Sequence, residues 1–284
     1  MTTHSSLASV RATRERLAEL GLTTKKYLGQ HFLIDDGVVG KILRLAAIEQ
    51  GDCIVEVGPG IGTLTEALLA QQVQLVAVEL DTALHAGLLE RFNALGLIGG
   101  DALAPTVIAQ LQELRPVALV ANLPYAVAAT ILLEYFQVLP SLQSATVMIQ
   151  REVAERIAAR PASKAYGAYT VKLGLLTDVV EQFKVHPQSF YPPPRVNSTV
   201  IRLERVRLFG EQIAHASMLA EAAFFQRRKT IRNSMQAYFL EQGLCKDSVD
   251  EGLSQASIHP QARGETLTTE DFLSLAQSIK ASGL

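Results

Sequence analysis

The chain has 284 residues, 48% of them hydrophobic, a formal net charge of −2 and no tryptophan. That length suits one large domain and a smaller one, and no apolar run reaches the roughly 18 residues that a membrane helix requires. Cys53 and Cys245 lie far apart without CxxC spacing, which argues for a reducing compartment and against a disulfide framework, and no metal site is expected. With the charge near balance, any surface for a polyanion must be local.

The N-terminus, "MTTHSSLASVRATRERLAEL", lacks the apolar core of a secretion signal, so a cytoplasmic protein is expected. Residues 7 to 21 read as a short amphipathic helix, with Leu7, Val10, Arg14, Leu17 and Leu20 at helical spacing. A mixed segment centred on Gly29, "KKYLGQHFLID", follows. From residue 53 the pattern alternates between strand and helix. "CIVEV" (53–57), "QLVAVEL" (74–80), "LGLIGG" (95–100), "VALVA" (117–121) and "ATVMIQ" (145–150) are strands, and "GTLTEALLAQ" (62–71) is a helix. Near-continuous apolar strands separated by helices imply an α/β fold with a buried, mostly parallel sheet. "STVIRLERV" (198–206) alternates like an edge or hairpin strand, after the Pro-rich loop "YPPPRVNS". Beyond about residue 208 the composition turns helical. The expected division is therefore an N-terminal extension (1–22), a large α/β domain (23–207) and a small all-helical C-terminal domain (208–284).

A polar or glycine-rich feature closes each of the first four strands. "EVGPGIGTLT" places Gly58, Gly60 and Gly62 between a strand and a helix, where small residues let backbone approach a ligand. Glu79, Asp101 and Asn122 follow at intervals of 21 or 22 residues, the length of one strand, one helix and two short loops. In an open α/β sheet such strand ends converge on one crevice. Each residue alone could be a helix cap or a solvated loop position, but four in register point to a bound nucleoside, with Glu79 on ribose and Asp101 on an adenine amino group. The turn is GxGxG rather than GxGxxG and lacks GxxxxGK[ST], which disfavours a nicotinamide dinucleotide and ATP. S-adenosylmethionine suits it better, because an amino-acid tail needs no phosphate clamp.

"NLPY" (122–125) gives that crevice its chemistry. An adenine amino nitrogen is a poor nucleophile because its lone pair is delocalised into the ring. Acceptors for both amino hydrogens, the Asn122 side-chain carbonyl and the Leu123 backbone carbonyl, favour a pyramidal nitrogen that can attack a methyl group. Pro124 fixes the turn, and Tyr125 offers a face on which a base can stack. The competing reading is structural, with Asn122 capping a helix that has Pro124 in its first turn.

"KKYLGQHFL", "EVGPGIGTLT", "VELD", "GDAL", "NLPY", "QREVAER", "SKAYG", "FYPPPRVNS" and "FFQRRKTIRNS" together make residues 25 to about 275 closely resemble the bacterial rRNA adenine dimethyltransferases. That family modifies two adjacent adenosines near the 3′ end of small-subunit rRNA. The resemblance implies a Rossmann-like class I methyltransferase fold and dimethylation at N6 in 16S rRNA from S-adenosylmethionine, coupled to small-subunit assembly. It adds His31 and Leu33 to Gly58, Gly60, Glu79, Asp101 and Asn122 as cofactor contacts. Many relatives carry Asn at the place of His31. A backbone contact would survive that exchange, and a role for His31 as a helix cap also stays open. By the same resemblance Phe190, just before the prolines, stacks on the target base opposite Tyr125, and a role for Tyr191 stays open.

The family's RNA-contacting C-terminal region corresponds to "FFQRRKTIRNS". Read as one helix, it sets Phe224, Ile231, Met235 and Tyr238 on a core face and Arg227, Arg228, Lys229 and Arg232 around it as RNA contacts. Lys25, Lys26, Arg151, Lys164 and Arg195 extend the basic track. The expected partner is the small ribosomal subunit, with no membrane, no DNA and a monomeric chain. Two readings compete: a large-subunit rRNA adenine methyltransferase of the antibiotic-resistance type, and an assembly factor whose docking matters more than its chemistry.

Overall fold

The computed structural model describes residues 3–22, 30–243 and 247–279. Gly29, Lys25, Lys26 and Cys245 lie outside them. Two compact units divide the chain: Met1–Ala154 with Val179–Arg205, and Glu155–Asp178 with Val206–Leu284. The first takes in the N-terminal residues. The second takes in a stretch, 155–178, that a single cut near residue 208 assigns to the α/β domain.

In the first unit the chain runs through α1 (Val10–Glu19), β1 (Phe32–Leu33) and α2 (Asp36–Ala46), then alternates strictly. β2 (Cys53–Val57), α3 (Thr63–Leu69), β3 (Gln74–Glu79), α4 (Thr82–Arg91), β4 (Gly96–Gly99), α5 (Pro105–Leu114), β5 (Ala118–Asn122), α6 (Ala128–Val138) and β6 (Ser144–Gln150) follow. α7 (Arg151–Ile157) spans the boundary, α8 (Ala168–Gly174) belongs to the second unit, and β7 (Thr177–Val185), β8 (Phe190–Tyr191) and β9 (Ser198–Arg205) complete the first. The seven-stranded sheet has the order β4-β3-β2-β5-β6-β9-β7, parallel from β4 to β6, with β9 antiparallel to β6. β9, expected from its alternation to be an edge or hairpin strand, is not the edge: it lies between β6 and β7 and is antiparallel to β6. The edge is β7, whose "TDVVEQFKV" is mostly exposed and carries too little apolar pattern to declare itself in the sequence.

The chain winds outward from β2 to β4 and then returns to place β5 on the other side of β2. Such a reversal opens a crevice at the carboxyl ends of the two central strands. The strands flanking it have apolar centres: Ile54, Val55, Leu119 and Val120 are inaccessible to solvent, each burial stabilising by about 1.5–3 kcal/mol. Aspartates start the neighbouring helices. Asp35 accepts from the Val38 amide at the head of α2, and Asp81 from Ala83 and Leu84 at the head of α4. Two arginines of β9 close helix ends. The Arg205 guanidinium donates to the carbonyl of Phe136 in the last turn of α6 and to those of Leu139 and Leu142 just after it, and Arg202 to those of Leu45 and Ala46 at the end of α2.

The N-terminal segment is packed onto this unit. The amides of His4 and Ser5 donate to the Asp36 carboxylate, and Ser5 and Ser6 to that of Glu66 on α3. Leu7 and Leu17 are buried with Phe32, Ile61 and Leu84, and Arg16 donates to the Gly87 carbonyl of α4 at 2.6 Å.

In the second unit α9 (Glu211–Phe224), α10 (Ile231–Glu241), α11 (Asp247–Gln255) and α12 (Thr269–Ser278) pack with α8. Phe224 joins Tyr166 and Phe272 in an aromatic row, and the Tyr166 hydroxyl donates to the Leu267 carbonyl at 2.7 Å. "FFQRRKTIRNS" is not one helix here. α9 stops at Phe224, residues 225–230 form a turn, and the Thr230 hydroxyl caps α10 by accepting from the Asn233 amide. A threonine able to cap outweighs the helical spacing of the flanking apolar residues.

Candidate active site

A cavity of about 280 Å³ opens at the crevice between β2 and β5. His31, Leu33, Gly58, Gly60, Glu79, Asp101, Asn122, Leu123, Pro124 and Tyr125 all line it. The regular spacing of strand ends along the sequence has become proximity in space, because parallel strands bring their carboxyl ends to one edge.

The glycine turn makes the first wall. Gly58 and Gly60 have φ of +68° and +62°, a region where a side chain would be strained. A Cβ at Gly60 would also press on the Phe32 ring at 3.2 Å, and one at Gly58 on the Pro124 ring at 3.4 Å. Glycine therefore brings the β2–α3 turn against both β1 and the NLPY turn. Glu79, only 7% exposed, accepts from the Gly60 amide at 3.2 Å and the Asp81 amide at 2.8 Å. Burial pushes its carboxyl above the usual value, against those hydrogen bonds. Asp101 sits on the open side, its carboxylate accepting from the Leu103 amide at 2.9 Å.

Glu56, a residue not singled out from sequence, also lines the cavity. It is 1% exposed, accepts a 2.7 Å hydrogen bond from the Thr65 hydroxyl and is pushed up to about 8, mainly by burial. Its signal was present in the first letter of "EVGPGIG". Phe32, Ile61 and Leu84 are further lining residues without a polar signature to betray them.

At the end of β5 the Asn122 amide donates to the His31 carbonyl at 3.1 Å. A carbonyl only accepts, so the bond fixes which end of the Asn122 amide is the donor and leaves its oxygen to be offered elsewhere. Asn122 does not cap α6, whose first residue follows Val127. His31 does not cap α2, where Asp35 holds that place. The Tyr125 hydroxyl bonds the buried Ser198 Oγ at 2.7 Å, anchoring the ring from its far end, and burial raises its phenol. The His31 ring stacks on Tyr125 with centroids 5.7 Å apart and planes 28° apart.

Phe190 does not face Tyr125 across this cavity. It is 2% exposed and packed with Leu33, Val38, Val39 and Val200 in the core. Alternate residues of a strand point to opposite sides, so β8 turns Phe190 inward and leaves Tyr191 half-buried, with the Arg14 guanidinium 5.0 Å from its ring centre.

Of the basic residues, Arg227 pairs with Glu265 at 3.3 Å and Arg232 with Asp250 through two 2.6 Å bonds. Arg228 and Lys229 are exposed on the turn between α9 and α10, and among the described residues no carboxylate lies at ion-pair distance from either.

Residues 21–281 match the family model "Ribosomal RNA adenine dimethylase". Relatives named ribosomal RNA small subunit methyltransferase A share 38% identity in Streptomyces griseus (93% of this chain, 92% of the relative) and 41% in Leifsonia xyli (92% and 94%). The one from Enterococcus faecalis shares 34% (99% and 98%). In fold, the chain is similar to a dimethyladenosine transferase from Plasmodium falciparum (TM-score 0.70, 24% identity, 86% of this chain and 96% of that one). It is also similar to the 23S rRNA methyltransferase ErmE (TM-score 0.59, 24% identity, 87% and 99%). The chain belongs to the ribosomal RNA adenine dimethylase family.

Proposed function

We propose that the protein dimethylates N6 of two adjacent adenosines near the 3′ end of 16S rRNA, using S-adenosylmethionine, within the small ribosomal subunit. The observation that carries this reading is the orientation of Asn122 at the mouth of a nucleoside-sized crevice. Its amide nitrogen is engaged by His31, so its oxygen accepts from the target amino group. The Leu123 carbonyl takes the second amino hydrogen, Pro124 holds the turn, and Tyr125 carries the base on its face. The cofactor supplies an electrophilic methyl group when bound. Gly58 and Gly60 let backbone lie against its amino-acid tail, Glu79 takes the ribose hydroxyls, and Asp101 meets the adenine edge. The chain holds the nitrogen and the methyl in line and forms no covalent bond to either.

The exposed Arg228 and Lys229, with Arg227 and Arg232 behind acidic partners, supply contacts to the rRNA backbone from the helical unit. No helix among the described residues is long and apolar enough to cross a membrane, and we place the activity in the cytoplasm, in a monomeric chain. The test is transfer of labelled methyl groups to unmethylated small subunits, with large subunits in parallel. Label in small subunits alone supports the reading. Label in large subunits alone makes the chain a resistance-type enzyme, and tight docking without label makes it an assembly factor.

A further inference from the structure

We propose that α1 is an arm for the substrate RNA, with Arg14 binding a backbone phosphate beside the target adenosine at the rim of the crevice. The inference rests on the methyl-transfer reading above and goes beyond it in giving the N-terminal segment a task. α1 carries three arginines. Arg11 pairs with Glu15 at 3.3 Å. Arg16 pairs with Glu19 at 3.0 Å, in addition to its bond to the Gly87 carbonyl. Arg14 is exposed, and among the described residues no carboxylate lies at ion-pair distance from it. Its neighbour is instead the Tyr191 ring, whose centre is 5.0 Å from the guanidinium carbon.

The place of that ring gives the pairing its meaning. Tyr191 stands opposite Phe32 in the β1–β8 register and packs against the cluster of Leu7, Leu17, Phe32, Ile61 and Leu84. Phe32, Ile61 and Leu84 also line the crevice, whereas Tyr191 does not, so Arg14 and Tyr191 flank its wall from outside. A base turned into the crevice leaves its neighbouring phosphates at the rim, where an arginine can meet them. A guanidinium held over a ring through its charge keeps its N–H donors for another partner, and its planar fork matches a phosphate. α1 itself is held in place, by Leu17 in the cluster and by Arg16 on α4, so Arg14 is presented from a fixed helix. Such prior ordering lowers the entropic cost of binding.

The experiment measures the Kd of unmethylated small subunits across a range of salt, together with kcat, KM, cofactor Kd and melting temperature. Wild type is compared with R14A, R14K and R11A. R14A should raise subunit Kd and KM about tenfold and flatten the salt dependence by about one counterion, with kcat within about threefold. Cofactor Kd and melting temperature should stay near those of wild type. R14K keeps the charge without the fork, so it should restore the salt slope and only part of the affinity. R11A removes a paired charge from the same helix and should leave subunit Kd within about twofold of wild type. A lowered melting temperature in R14A with wild-type subunit Kd and salt slope would overturn the proposal, leaving Arg14 a structural partner of Tyr191. Equal losses in R11A and R14A would also overturn it, in favour of a diffuse field. Absence of methyl transfer by wild type would sink the functional reading, while the binding measurements would still decide whether Arg14 meets RNA.

Discussion

The amide of Asn122 and the backbone carbonyl of His31 meet at 3.1 Å although 91 residues separate them in the chain. The bond converts a residue at a strand end into an oriented acceptor. Asn122→Ala should lower kcat by about 10²–10³-fold, the range for losing one preorganised polar group at a reacting centre, while cofactor affinity changes little. Titration calorimetry with cofactor and single-turnover methyl transfer separate the two effects. A loss of cofactor affinity with an unchanged single-turnover rate at saturating cofactor would mean that Asn122 serves binding alone.

Glu56 ties stability to pH. Its carboxyl is held up to about 8 in the fold against an ordinary 4.5, chiefly by burial, with the Glu79 charge adding to it and the Thr65 bond opposing. The folded chain therefore keeps a proton that the unfolded chain releases above its own pKa. The stabilisation is complete below about 4.5, declines as pH rises and is gone above about 8, a swing on the order of a few kcal/mol. Melting temperatures at about pH 5 and about pH 8 should fall more steeply in wild type than in Glu56→Gln. Parallel profiles would contradict the assignment.

Arg205 is a structural clasp. Its guanidinium satisfies three carbonyls in and just after the last turn of α6 and lies 5.1 Å from the Phe136 ring centre. Arg205→Met should destabilise by about 2–4 kcal/mol, since buried carbonyls lose charged donors. Denaturant unfolding measures this, and a change below about 1 kcal/mol would show that water replaces the donors.

The N-terminal segment hangs on Glu66. Burial alone would raise this carboxyl, but hydrogen bonds from Ser5 and Ser6 and the charge of Arg91 outweigh it and hold it below the usual value. Glu66→Ala should release residues 3–7, seen as faster amide exchange at Ser5 and Ser6. Those bonds should loosen in wild type as well when acid protonates Glu66, so the protection of these amides relative to their intrinsic exchange should fall as pH drops through its lowered pKa. Unchanged exchange in the variant would place the anchoring on Asp36 and Leu7 instead.

Among the basic residues, Arg228 and Lys229 should matter most for RNA. Arg227 and Arg232 must first leave Glu265 and Asp250. The double change of Arg228 and Lys229 to Ala should weaken subunit binding and flatten its salt dependence by about two counterions, whereas R232A alone should do less. The reverse order would mean that the pairs open on docking.

The strand ends were legible because one rule, parallel strands followed by helices, fixes both their spacing and their convergence. Gly58, Glu79, Asp101 and Asn122 needed no further information to be found together. The direction of Phe190 was not legible, since two-residue β8 takes its register from pairing with β1, a segment far away in sequence. Nor was the break at 225–230, where Phe224 and Ile231 keep helical spacing and only Thr230 marks a new start. The docking of residues 3–22 depends on Asp36 and Glu66, carboxylates that look like ordinary surface residues until the fold brings them to the N-terminus.

The most direct measurement is nucleoside mass spectrometry of rRNA from unmethylated small subunits after incubation with the protein and S-adenosylmethionine. The predicted result is N6,N6-dimethyladenosine in small-subunit rRNA, formed at least about 100-fold more slowly with Asn122→Ala and absent from large subunits treated alike. Methylation confined to the large subunit, or dimethyladenosine formed by the Asn122→Ala variant at the wild-type rate, would contradict it.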